Sequence, residues 1–574
     1  MGFDFLDFGF PKSGTDWKSL NGKPYITVSS KGRSNGLSDK INDGADFGPD
    51  TMQAATSPSQ TGSSYSKSLG FQETLDYARA NNIHKIVAIG NFVLDTNFGN
   101  LWSGNNLTMM RFDMTASGQS ADLNNLEIDL SGAYFTITSA LQEQLQNTNE
   151  NFFMFYSIGT SNTISNIHIH GGRIDGGNFI SSTPYYIRCV GITGASGLEV
   201  NDMSFTNFIS NGNFIWIFGM NGVDVHDNYM LNTAGDVVDY DFVNGGSFHD
   251  NVILGFGGYN NNSQSGPAIN IANNSSNVGI YNNVMISVYG ESPNYFGNAA
   301  ITLLLNSGES QSNIVMEGNI TDTTLLKIYG NNTSPYPTIN NLSITNNFVY
   351  TELPVEYVFI YPVYSMTLTN LLIESNNALI SNIISSIYSS AIQIQSVNYG
   401  IIKNNTIIGN NAIPIANGIQ YLTSSNLVIE GNYFNFNVTY FLTDGSITSP
   451  STNVIVRNNY TPNGTVYYGN TKFLLTEDNF TPLGIKLTLS NVQISTPAVP
   501  ASGTAQQNTY PYPVNVYLYG GTVTEIQLTR NGTAYTVFSN ATGLALSGQV
   551  YKLNPSDSIT VTYTSAPTWE WLSD

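Results

Sequence analysis

Three carboxylates fall in the run Asp236-Val237-Val238-Asp239-Tyr240-Asp241. Asp239 and Asp241 are two apart, so on an extended strand both leave the same face about 6–7 Å from each other. That is near the lower end of the spacing at which one carboxyl group protonates a glycosidic oxygen and another activates water, the inverting route of glycoside hydrolysis. Asp236 is near enough in sequence to join them. Two readings without catalysis compete: an outward acidic turn, and a calcium site. Near the cluster in sequence stand Tyr240, Tyr259, Tyr289, Glu291 and Tyr295, with Asn260, Asn261 and Asn262. Tyrosine faces pack on pyranose rings while amides and carboxylates meet hydroxyls, which makes these the candidate glycan-binding residues. Ordinary loop aromatics closing over a core are the competing reading. His226 and His249 are expected to stack on each other or pair with Asp227 and Asp250. Two histidines alone do not make a metal site, and neither a metal nor a cofactor is expected apart from the calcium alternative.

The elements that must hold these groups are set by a repeat. An asparagine recurs at Asn228, Asn251, Asn283, Asn319, Asn347, Asn376, Asn405, Asn432 and Asn459, each three places after an apolar residue, in steps of 23, 32, 36, 28, 29, 29, 27 and 27. Near-constant periods of this length, carried by short alternating strands, mean a solenoid with one rung per repeat. The residues just before are Asp227, Asp250, Asn282, Gly318, Asn346, Ser375, Asn404, Gly431 and Asn458, mostly types that enter the left-handed region cheaply. That column predicts a bend, and the asparagines after it predict a ladder of stacked amides about 4.8 Å apart. One place earlier, Glu374, Lys403, Glu430 and Arg457 alternate in sign, as outward rung partners should. The fold class is therefore all-β: a single-stranded parallel β-helix. The two long rungs between Asn228 and Asn319 must shed their extra residues as loops, and these carry the tyrosines above.

Composition narrows the partners. Only 10% of the 574 residues are charged, and the formal net charge is −21. Such a surface argues against nucleic acid and anionic membranes, and no run reaches the roughly 20 apolar residues of a membrane span. The single cysteine, Cys189, excludes an internal disulfide framework. Low charge density also predicts acid tolerance, since few carboxylate pairs are lost on protonation. Asn-x-Ser/Thr sequons are dense, at Asn106, Asn274, Asn319, Asn341 and Asn540 among others, and glycosylation is an expectation that intact mass would test.

Four parts are expected. Residues 1–67 read as an irregular anchoring segment. Residues 68–490 hold the β-helix, closed at its start by an amphipathic helix with Phe71, Leu75, Tyr77 and Ala78 inward, and with rungs from about residue 95. Residues 491–512 form a Pro/Ala/Ser linker. Residues 513–574 form a small antiparallel, sandwich-like β-domain in which Gly520-Gly521, Asn531-Gly532 and Asn554-Pro555 mark turns.

The stretch Gly70-Phe71-Gln72-Glu73-Thr74-Leu75-Asp76-Tyr77-Ala78, with the strand after it and the rungs, resembles pectate-lyase-like right-handed β-helices, phage tailspikes included. The ending Leu553-Asn554-Pro555-Ser556-Asp557-Ser558-Ile559-Thr560-Val561-Thr562-Tyr563, then Ala566-Pro567-Thr568-Trp569-Glu570-Trp571, resembles a small β-module that closes some viral spike and tail proteins. The aspartate cluster is similar to that of polygalacturonase-type helices, but the His-Gly and Arg-x-Lys elements do not follow it. Such helices serve lyases, hydrolases, adhesins and passive spikes alike. From Cys189 to Leu326 there is no lysine or arginine, so the site face is expected to lack the base and the positive field a uronate lyase needs. A neutral glycan is the expected ligand. The resulting expectation is a viral surface spike or vertex protein, homo-oligomeric, at the virion surface, contacting other virion proteins and host-surface glycans. A glycan-depolymerising hydrolase is the alternative, and a cellular adhesin is the third reading. The chain also shows no ordinary secretory leader, which fits a virion protein.

Overall fold

The computed structural model describes residues 25–30, 46–49 and most of 66–573; gaps of five or more residues after that point are 178–186, 258–265, 288–298, 352–356, 381–389, 410–414, 481–485 and 488–495. The described residues fall into two compact units, 1–351 with 363–365, and 352–362 with 366–574.

In the first unit a typical rung is built from three strands. Asn221–His226 and Tyr229–Thr233 meet at the Asp227-Asn228 bend and belong to one sheet, and Val238–Asp241 belongs to a second. Each pairs in parallel with its equivalents on the neighbouring rungs: Val225 with Phe248, Met230 with Ile253, and Tyr240 with Ile271. Strand alternation sends Val223, Val225, Met230, Val238 and Tyr240 into the core, where all are fully buried. The chain is thus a parallel β-helix, as the repeat predicts.

The ladder is present in both units. Asn228 Nδ2 donates to Asn251 Oδ1 at 3.0 Å, Asn251 to Asn283 at 3.1 Å, Asn283 to Asn319 at 2.9 Å and Asn319 to Asn347 at 3.0 Å. In the second unit Asn376, Asn405, Asn432 and Asn459 repeat the pattern at 2.9 Å, and Asn479 adds a further step at 3.0 Å. Every residue of the bend column has φ between 53° and 68°. A left-handed bend leaves backbone groups unpaired, and the amides satisfy them: Asn405 Nδ2 donates to Ile373 O at 3.0 Å, and Asn376 N donates to Asn405 Oδ1 at 3.0 Å.

A second, outer ladder lies six residues before the first. Asn277, Asn313, Asn341, Asn370, Asn426 and Asn453 have φ of 54–61°. Asn313 Nδ2 donates to Asn277 Oδ1 at 2.8 Å, and Asn341 to Asn313 at 2.7 Å. The outward charge column also forms, with Lys403 Nζ 2.9 Å from Glu374 and Arg457 Nη2 3.0 Å from Glu430.

Helix α1 (Phe71–Ala80) buries Phe71, Leu75 and Ala78, but Tyr77 is exposed. Phe71 packs on Phe92 and Phe135 at ring separations of 5.1 and 5.7 Å, closing the apolar end of the first rungs. Its first turn is held by Glu73, which accepts from Ser66 and Ser68 at 2.7 and 2.9 Å. Three expectations are corrected. The 1–67 segment is not wholly irregular, because Ile26–Ser29 pairs in parallel with Lys85–Leu94. Rungs begin at Lys85, which already pairs with Glu127. A second helix, α2 (Ser139–Thr148), unexpected from sequence, buries Leu141 and Leu145.

The C-terminal part is a five-stranded antiparallel sheet. Gly520-Gly521 is a bulge and not a turn there, since Val514–Arg530 runs through it as one strand. Asn531-Gly532, with φ of 48° and 75°, is the hairpin turn.

Candidate functional site

Asp239 and Asp241 leave the outer face of the strand Val238–Asp241, half-buried, with Tyr240 between them turned inward. Tyr240 is therefore not a glycan contact. Its ring is fully buried and its hydroxyl lies 3.2 Å from Ser247 O. Gly246 makes the room, for a Cβ there would sit 3.5 Å from the ring and 3.0 Å from Val243. Tyr259, Tyr289, Glu291 and Tyr295 lie outside the described residues.

Parallel register assembles the rest of the face. Asp239 stands beside Trp216 on one side and Asn270 on the other, followed by Thr302 and Lys327. Asp241 stands beside Phe218, and the same column continues through Leu304 to Tyr329. Asn270 Nδ2 donates to Asp239 at 2.9 Å, and Asn273 Nδ2 to Asp241 at 2.8 Å. Arg188 lies in register with Asn213, and its Nε donates to Asn213 Oδ1 at 3.2 Å. Asn213 Nδ2 in turn donates to Asp236 O. The guanidinium is held between two rings, 4.8 Å from Trp216 and 5.3 Å from Phe153. Gly191 permits this, since a Cβ would lie 2.4 Å from the Phe153 ring.

The three aspartates share one electrostatic fate. Burial raises Asp236 to about 6, with Asp241 adding to the rise. Burial also raises Asp239 well above the usual carboxylate range, reinforced by Asp241 and Asp236. Asp241 is raised by burial too, against hydrogen bonds from Asn273 and Trp216. The positive charge of Arg188 opposes the rise at all three. The expectation of a face without basic groups is thus corrected. The stretch without lysine or arginine is bounded by Arg188 and Lys327, and rung stacking carries both residues onto the face.

Sequence reasoning also missed Trp216, Asn213, Asn270 and Asn273. No fixed offset marks them: Trp216 follows Met203 by 13 residues, while its register partner Asp239 follows Asn228 by 11. Met203 occupies the ladder position one rung below Asn228, where its N–H donates to Asn228 Oδ1 at 3.0 Å.

The first sheet carries a different outward stripe. His226 and His249 stack at 4.9 Å and 5°, as expected, and their Nδ1 atoms lie 2.8 and 2.7 Å from Asp227 and Asp250. Glu199 and Asp227 raise His226 to about 9 against burial, and Asp224 and Asp250 raise His249. His168 and His170 stack below them at 4.5 Å. His170 and Lys85 draw Glu127 down to about 2.

Among the described residues, Glu127, Asp129 and His170 bring ligand atoms within 4.8 Å of one another. Lys85 Nζ sits 2.7 and 3.5 Å from the two carboxylates and supplies the positive charge there. Asp236, Asp239 and Asp241 form no such convergent set, so the calcium alternative has no ligand cage in the described residues.

No family model matches the chain, and no curated protein matches it. Among solved structures, it is similar to a double mutant of the tailspike protein of E. coli bacteriophage HK620 in complex with a pentasaccharide. The identity is 12% and the TM-score 0.43, covering 87% of this chain and 88% of that one. Another structure of that tailspike with pentasaccharide gives 13% and 0.41 over 87% and 88%. The Streptococcus pneumoniae surface protein and adhesin PfbA gives 12% and 0.37 over 72% and 94%. At such identities a likeness extends no further than fold, and the β-helix here stands on its own strand register.

Proposed function

We propose that this chain is a viral surface spike that binds host glycans, with the face of Arg188, Trp216, Phe218, Asp236, Asp239, Asp241 and Asn270 as the binding surface. One observation carries the reading. Parallel register gathers two outward aromatic rings, the carboxylates of Asp239 and Asp241, amides and an arginine onto one face, with Asp236 just ahead of its strand, while the apolar residues of the same strands turn into the core. Rings for pyranose faces beside hydrogen-bonding groups for hydroxyls are what a saccharide surface requires. Placement at the virion surface, contact with other virion proteins and a homo-oligomeric state belong to the same proposal. They rest on the resemblance of the opening and closing segments to spike proteins.

The second reading is inverting glycoside hydrolysis on this face, favoured by the raised aspartates. Asp239, which burial and its two acidic neighbours raise well above the usual carboxylate range, serves as the acid. Asp241, held by Asn273 and Trp216, serves as the base. A glycan array with the intact chain and with Trp216→Ala tests binding. Failure of every glycan to bind, or equal binding by the variant, overturns the site. Reducing-end release from bound polysaccharide, abolished by Asp239→Asn and by Asp241→Asn, would establish hydrolysis, and its absence leaves a binder.

A further inference from the structure

A rung of the first unit turns the outer sides of three strands to water, and two of these carry charge. The strands before the bend present Asp224, His226 and His249, and the site face presents Arg188, Asp239 and Asp241. The strands after the bend differ. Tyr229–Thr233, Val252–Phe256, Val284–Ser287, Ile320–Thr321 and Phe348–Thr351 in the first unit contain no charged residue, and neither do Asn377–Ile380, Thr406–Gly409 and Tyr433–Asn435 in the second. In the first unit their outward positions are apolar as well. Parallel register sets Tyr229, Val252, Val284, Ile320 and Phe348 in one column. Leu231, Leu254 and Ile286 form a second column beside it, in which Tyr350 follows Phe348 by two residues. Tyr229 and Tyr350 are each 39% exposed and Ile320 is 40% exposed. Asp322, two residues on from Ile320, is buried and accepts from Ser287 N and Oγ at 2.8 and 3.0 Å, so it brings no open charge to the stripe. Contiguous apolar surface of this kind marks a place where another molecule docks.

We propose that this uncharged stripe lies face to face with the same stripe of a second copy of this chain. Area, spacing and charge all favour a copy as the partner. Five rungs about 4.8 Å apart and two outward columns make the first unit's stripe about 24 Å long and about 14 Å wide, roughly 350 Å². Four rungs, at Asn377, Thr406, Tyr433 and Tyr460, add roughly 250 Å² in the second unit. Two copies joined through these stripes bury about 1,200 Å², the lower bound of a stable protein interface. Rows of side chains recur at the same interval on both copies, so the rows of one seat between the rows of the other at interior packing density. Two chains that each carry a net charge of −21 repel at long range, and contact through this stripe buries no open charge and sets no carboxylate against another.

The inference rests on the homo-oligomer part of the proposed function, which it deepens, and is independent of the glycan site. The test uses the full chain. Sedimentation velocity should show concentration-dependent association, weakened at least about tenfold by Ile320→Glu and by Tyr350→Glu, each of which buries a carboxylate against the other copy. Ser343→Glu adds the same charge to the outer side of Thr338–Thr345, a strand before the bend, and should leave association unchanged. All three positions face outward, so far-UV circular dichroism should not change, which separates loss of association from loss of fold. A wild type that is monomeric at every concentration overturns the homo-oligomer reading and this surface with it. Association that Ile320→Glu and Tyr350→Glu leave intact, or that Ser343→Glu weakens as much as they do, overturns the surface alone.

Discussion

Raising the pH from 6 to 10 should destabilise the protein through His226, and the size of the loss can be worked from its surroundings. The imidazole lies 2.8 Å from Asp227 and 3.4 Å from Glu199, and is raised from the ordinary 6.5 to about 9. A group whose pKa is raised by folding contributes stability that is fully present below its unfolded value, near 6.5, and is lost as pH climbs through about 9. That interval corresponds to roughly 3 kcal/mol at 1.36 kcal/mol per tenfold change. Asp227 is 58% exposed, so water screens the pair and about 1–2 kcal/mol is the expected effect. In a chain this long such a loss moves Tm by only about 1–2 °C, and the titration itself is the better assay. With histidine-selective 13C labelling, His226 should titrate near 9 among the five imidazoles. The stability gap between wild type and His226→Gln, from denaturant midpoints, should be present at pH 6 and absent at pH 10. A His226 that titrates near 6.5, or a gap that does not change with pH, refutes the reasoning.

Asp239→Asn should stabilise the fold at pH 7 while removing any hydrolytic activity. A carboxylate raised by folding opposes the native state increasingly as pH rises past the unfolded value near 4, so the gain should vanish at pH 3.5 in parallel thermal melts. Asn405→Ala removes donors to Ile373 and Asn432 and the acceptor for Asn376, and should cost about 2–4 kcal/mol in chemical denaturation. Gly431→Ala should cost more than Gly219→Ala. Both have φ near +65°, but only the Gly431 Cβ meets a neighbour, at 2.6 Å from Asn404 Oδ1; equal losses would deny that the Asn404 amide fills that space. Produced in a glycosylating host, the folded protein should carry no glycan at Asn319, whose amide is buried and spent on Asn347 and Ile280; a glycopeptide there would contradict the ladder.

The rungs were legible because a solenoid writes its geometry into the chain at a fixed period. Asn228 through Asn459 occupy the predicted ladder, and the residue before each is left-handed. The outer ladder was equally present, six residues ahead at Asn277, Asn313 and Asn341, but glycines at Gly222 and Gly245 and a tyrosine at Tyr399 interrupt its spelling. Tyr240 departs from its expected role because a strand's alternation assigns it the face opposite to Asp239 and Asp241, so it cannot share their outward surface. The short helix α2 turns only two apolar residues inward, Leu141 and Leu145, beside the buried Gln142, too little periodicity for a sequence signal.

What the sequence alone determined is what repeats: strand, left-handed bend, amide ladder, and the inward or outward sense of each side chain, since all follow from local backbone preference and period two. What only the tertiary structure decided is which outward residues become neighbours. Arg188, Trp216, Asp239 and Asn270 stand next to one another although as many as 31 residues separate adjacent members along the chain. Loops of unequal length between rungs hide that register from any fixed count. Only backbone pairing, which joins strands about 4.8 Å apart whatever the intervening loop, brings arginine, indole and carboxylate onto one face.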